Sequence, residues 1–148
     1  VLRRDTFERV SEYRSPVPPG WPKQVDRPGA PDSGWETSAV RWLYDQAPGA
    51  WRDGLNGRQY PDRPLMLARD VRYLVDGQIN GLREAYRRAR VELAEKFEPN
   101  QIAEQLDMYQ QEAARLEALL RQVQVVEDAL TGVRWVPRKA DVTFDTLN

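Results

Sequence analysis

The sequence predicts a mainly α-helical protein built on a long, coiled-coil-like antiparallel hairpin. Three observations carry that expectation. Residues 65–98 and 100–136 contain no proline, in a chain that holds 11. Within both blocks apolar residues recur at steps of three and four, the spacing of one helix face. The blocks are nearly equal in length and separated by a single proline, so two helices must fold back on each other. A length of 148 residues is that of one domain. The expected layout is an irregular N-terminal wrap over 1–61, the hairpin over 62–131 and an extended tail over 132–148.

Taken in order, residues 5–13 read as a short helix. Asp5 stands at its cap with Glu8 three residues on, as in a capping box, and Phe7, Val10 and Tyr13 form a narrow apolar stripe. Ser15-Pro16-Val17-Pro18-Pro19-Gly20-Trp21-Pro22 is an extended, polyproline-type run. A second short helix is expected over 37–47, with Ala39, Val40, Leu43 and Ala47 on one side, stopped by Pro48-Gly49. Asp53-Gly54, Asn56-Gly57 and Tyr60-Pro61 are turn pairs.

The period changes at Asp62, which reads as a helix cap with Pro64 in the first turn. The stripe Val75, Ile79, Leu82, Tyr86, Ala89, Leu93, Phe97 defines the first long helix, 62–97. Ile102, Leu106, Tyr109, Ala113, Leu116, Leu120, Val123, Val126 and Leu130 define the second, 99–131. Gly132 sits where a terminating glycine belongs. Val133-Arg134-Trp135-Val136-Pro137 is β-like.

Two helices bury too little alone, and four tryptophans (Trp21, Trp35, Trp42, Trp51) lie in the proline-rich N-terminal third. The economical solution is that residues 1–61 wrap the hairpin and use those rings as anchors. Leu67, Val71 and Leu74 on one helix, and Leu119, Val125 and Val126 on the other, lie outside the seam. A compact monomer of this mass exposes roughly 7,800 Å², and an elongated hairpin exposes more. The surplus apolar surface therefore predicts a homodimer.

Composition excludes several chemistries. With no cysteine and no histidine, the chain builds no disulfide, thiolate nucleophile, zinc-finger ligand set or Ser-His-Asp triad. A di-iron four-helix site in its usual Glu-x-x-His form is excluded too. No apolar run spans a bilayer. Val1-Leu2-Arg3-Arg4-Asp5 has no apolar signal core, so the expected setting is the cytoplasm. The net charge of −1 argues against a protein that coats nucleic acid. Arginine outnumbers lysine 19 to 3, as the codon usage of a GC-rich bacterial genome produces. No glycine-rich phosphate loop or other cofactor motif occurs.

Three constellations remain. Arg83, Arg87, Arg88 and Arg90 form a basic row suited to phosphate contacts, or a solvated face paired with acids such as Glu112 and Glu117. Gly77, Gly81, Ala85 and Ala89 form a small-residue row at i+4 spacing. Each helical glycine costs about 1 kcal/mol against alanine, so close approach by the proline-tryptophan segment or by a partner helix is expected there. Glu92-Leu-Ala-Glu95 followed by Glu104-Gln-Leu-Asp107 resembles the ExxE…ExxD magnesium motif of the all-α nucleoside triphosphate pyrophosphohydrolases of the MazG kind.

That resemblance covers four residues. It implies carboxylates holding Mg²⁺ against substrate phosphates, since hard oxygen ligands suit that ion. This sequence departs from the motif in its short eight-residue gap. It departs again in facing, because Glu104 lies about 160° from Ile102 and Leu106 around the helix. The leading functional expectation is a non-catalytic interaction or assembly module that binds a protein partner or itself. The alternatives are a nucleic-acid-associated factor using the arginine row and a magnesium-dependent nucleotide hydrolase at the hairpin tip.

Overall fold

Pro64 and Pro99 each stand in the first turn of a long helix, where the missing N–H is no loss and the fixed φ is already helical. The computed structural model describes residues 16–29, 33–53 and 63–137. They hold four helices: α1 (Trp35–Gln46), α2 (Gly49–Asp53), α3 (Pro64–Ala94) and α4 (Pro99–Leu130). No strand occurs among the described residues. The 31-residue α3 and 32-residue α4 pack along each other as the antiparallel hairpin.

The hairpin's ends follow from backbone chemistry. α3 stops at Ala94, short of the expected 97, because the N–H groups of Lys96 and Phe97 both donate to the Leu93 carbonyl, at 3.1 and 3.0 Å. That closes a tight final turn. Glu98 is extended (φ −69°, ψ 151°), as a residue before proline must be. At the far end Gly132 adopts φ +85°, and its N–H donates to the Ala129 carbonyl at 3.1 Å. This is the left-handed terminator expected there.

The core lies at the open end of the hairpin, away from the connecting turn. Leu67, Ala68, Val71, Val75 and Ile79 of α3 meet Leu116, Val123 and Val126 of α4. α1 closes the cluster with Trp35, Ala39, Trp42, Leu43 and Tyr44, and Val25 adds to it. α1 starts two residues earlier than the predicted 37, so Trp35 becomes part of its buried face.

The proline-tryptophan segment is pinned, as expected. Pro18-Pro19-Gly20-Trp21 forms a turn closed by the Trp21 N–H on the Pro18 carbonyl at 3.2 Å. Gly20 there takes φ +86°, which a type II turn requires of its third residue. The Trp21 indole Nε1–H donates to the Val25 carbonyl at 2.9 Å, and the ring lies 6.1 Å from that of Trp35. Ser38 Oγ accepts the Asp26 N–H at 2.9 Å and donates to the Trp35 carbonyl at 2.7 Å, fastening the segment to α1. Pro22 is fully buried.

Several expectations need correction. Residues 49–53 form the helical turn α2 rather than a run of turns, and the half-buried Trp51 packs it onto the core. The position before α3 is Arg63, with no side-chain cap. The expected cap Asp62, the helix over 5–13 and the tail beyond 137 lie outside the described residues. Residues 133–137 form no strand. Of the six apolar residues placed outside the seam, Leu74 and Val125 are half-buried. Leu67, Val71 and Val126 are fully buried in the core that α1 closes, and Leu119 packs against it, partly buried.

Candidate interaction surface

The core cluster ends at Ile79 on α3 and Leu116 on α4, with Leu82 at its margin. Beyond that level neither α3 nor α4 contributes a residue to the core cluster. This distal arm has a one-residue-thick seam of Tyr86, Leu93, Ile102, Leu106, Tyr109 and Ala113, all half-buried, and only Ala89 is buried outright. Two facing helices cannot hide both flanks of a seam, so the arm keeps apolar surface in water. Val91 is 66% exposed, Met108 61% and Phe97 51%. Phe97 and Met108 border an open notch of about 310 Å³ at the tip, floored by Leu93 and Ile102.

The arginine row lies on this arm and is largely engaged with acids. Arg83 donates to Glu117 of α4 at 3.2 Å, one of the two pairings expected for a solvated face. The other candidate, Glu112, is taken by Arg115, whose hydrogen bond holds the Glu112 carboxyl below its ordinary range. Arg87 and Arg88 share Glu84 on their own helix. Arg90 leans over the Tyr86 ring, 5.9 Å from its centroid. The side chains of Arg87 and Arg88 stay 74% and 73% exposed.

The small-residue row is not where the wrap docks. An i+4 step advances about 40° around a helix, so the row spirals from the outer face at Gly77 and Gly81 to the seam at Ala89. Gly77 and Gly81 are exposed, and a Cβ at either would meet nothing within 4 Å. The proline-tryptophan segment lies instead at the open end, on the core cluster. The close approach that two helical glycines permit is therefore not used within the described residues.

Glu92, Glu95, Glu104 and Asp107 are all exposed, and Asp107 accepts a hydrogen bond from Gln111 one turn along its own helix. No group of three or more carboxylates placed to hold a metal ion occurs among the described residues. The facing inferred from the helical period is the reason, since these carboxylates point away from the seam.

One feature was not legible as a site. At the open end a cleft of about 920 Å³ runs between the proline-tryptophan segment and the end of α4, walled by Pro18, Trp21, Trp35, Leu130, Val133 and Trp135. Its charged groups, Glu36, Asp128 and Arg134, are of mixed sign. The signal for it was Trp135, the one tryptophan outside the N-terminal third. No helix among the described residues is long and apolar enough to cross a membrane. Comparison of the chain with protein-family models, curated proteins and solved structures returns no match in any of the three.

Proposed function

We propose that the protein is a non-catalytic helical docking module that presents its bare hairpin arm to a protein partner or to its own copy. One observation carries this reading: the division of the hairpin into a covered end and an uncovered arm. The open end has a third layer and a core, so it is the part that holds the fold. The arm has neither, yet it keeps Val91, Phe97 and Met108 in water. Burying what these three side chains expose is worth on the order of 3–5 kcal/mol. Association costs are of similar size, so the reading describes a partner that comes and goes rather than a permanent subunit.

The test is a photo-crosslinking residue placed at Val91 or Met108 in the native host. Adducts at either position, absent when the same residue is placed at the buried end of α4, are the expected result. No adduct from either arm position, in a chain that keeps its helical content, rejects the reading.

A nucleic-acid contact is the second reading, supported by the exposure of Arg87 and Arg88. It competes with their pairing to Glu84. Salt-dependent retention on heparin that Arg87→Gln/Arg88→Gln removes would favour it.

A further inference from the structure

We propose that the outer face of α3 binds a second copy of this chain, antiparallel, across a twofold axis at Val91. The proposal rests on the docking-module reading and names the partner. At 100° per residue, Glu84, Arg87, Arg88, Val91 and Glu95 all fall within about 60° of the direction opposite the seam. All five are exposed. From Arg87 onward this face reads cationic pair, apolar residue, carboxylate, with Glu84 one turn before the pair and bridged to both arginines.

The wider charge distribution repeats that order. Arg83, Arg87, Arg88 and Arg90 are opposed in their stretch only by Glu84. From residue 92 to 107 the balance reverses, with Glu92, Glu95, Glu98, Glu104 and Asp107 against Lys96 alone. The arm thus carries a basic band beside an acidic tip, and the 66%-exposed Val91 marks the boundary. A surface that runs from plus through apolar to minus is complementary to itself turned end for end. A parallel pair would set arginine against arginine.

The register follows from counting. Arg87 and Glu95 stand four residues either side of Val91, so an axis at Val91 sets Arg87 of each copy against Glu95 of the other. Within one chain those two residues are about 12 Å apart along the helix and do not pair. Arg87 and Arg88 divide one carboxylate between them, and Glu95 makes no ion pair among the described residues. The overlap is about four helical turns, so the dimer is weak and depends on concentration and salt.

Sedimentation of the full chain from micromolar to millimolar concentration tests the proposal. The expected result is a monomer of 17.2 kDa in equilibrium with a species of twice that mass. Arg87→Glu and Glu95→Arg should each weaken association about tenfold. The double variant Arg87→Glu/Glu95→Arg should restore it, while Val91→Asp abolishes it with the helical circular dichroism unchanged. Rescue is possible only between chains, because the two residues do not meet in one. A monomer at every concentration overturns the proposal, as does a dimer that the single variants leave intact or the double variant fails to restore. Either result leaves the docking-module reading standing or falling on the crosslinks from Met108, which lies outside this face.

Discussion

Arg72 Nε and a carboxylate oxygen of Glu127 lie 2.6 Å apart across the hairpin, joining residues 55 positions apart in sequence. Arg69 stands 3.8 Å from the other oxygen of the same carboxylate. Glu127 keeps only 13% of its side chain exposed and Arg72 31%, so water screens this pair less than the ion pairs on the arm. The hydrogen bond from Arg72 to Glu127 is the main reason the guanidinium holds its proton more tightly than usual. Glu127→Gln should cost about 1 kcal/mol and lower the melting temperature by about 3 °C. A double-mutant cycle with Arg72→Ala should return a coupling of similar size. An Arg83/Glu117 cycle, on a pair with side chains 62% and 44% exposed, should return much less.

Stability is unevenly distributed along the hairpin. Leu67 is fully buried in the cluster that α1 closes, whereas Leu106 is half-buried in a two-helix seam. Leu67→Ala should cost about 3 kcal/mol and Leu106→Ala about 1 kcal/mol. Urea denaturation gives both values. Native-state hydrogen exchange should show the amides of the arm opening well before those of residues 67–79. Equal costs and uniform protection would mean that the arm is covered by something outside the described residues.

The hairpin was legible because a 3.6-residue period and two bounding prolines are local properties, readable without knowing what packs where. The pinning of Trp21, Trp35 and Trp42 was legible for a related reason, since so much aromatic surface in a proline-rich run requires a partner. Where that segment docks was not. Its site depends on which flank of the seam α1 covers, and Leu67, Val71 and Val126 look alike in sequence whether α1 or a second chain buries them. The glycine row does not receive the proline-tryptophan segment for a geometric reason, because an i+4 series is a spiral rather than a stripe and carries Gly77 and Gly81 to the outer face. Val91 was legible in principle, lying about 160° from both Ala89 and Leu93, but an isolated outward valine is unremarkable until the charges around it are placed.

Tyr44 links stability to pH. Its side chain is buried in α1, and burial pushes the phenol above its ordinary value of 10.0, with the nearby Arg52 guanidinium pulling weakly the other way. The fold therefore favours the neutral phenol. That contribution is fully present below pH 10, the unfolded value, and is lost as pH rises through the higher folded value. Melting temperatures of the wild type should fall above about pH 10 more steeply than those of Tyr44→Phe. Parallel curves would show that the phenol is as well solvated folded as unfolded.

Gly77 offers a sharper test of what faces the outside of α3. It sits inside a helix, at an exposed position where an added Cβ meets nothing within 4 Å. Its backbone is not in the left-handed region, since the glycines with positive φ among the described residues are Gly20, Gly34 and Gly132. Gly77→Ala removes backbone freedom from the unfolded chain and adds no clash to the folded one. It should therefore raise stability by about 1 kcal/mol, or about 3 °C in melting temperature, at low chain concentration. Gly77 lies more than two turns from the Arg87–Glu95 stretch, so the same variant should leave the dimer described above unchanged. Suppose the alanine instead destabilises the protein, or blocks association at high concentration. The space beside Gly77 would then be occupied by a closely packed backbone, and the contact face of α3 would extend from the tip down to the covered end of the hairpin.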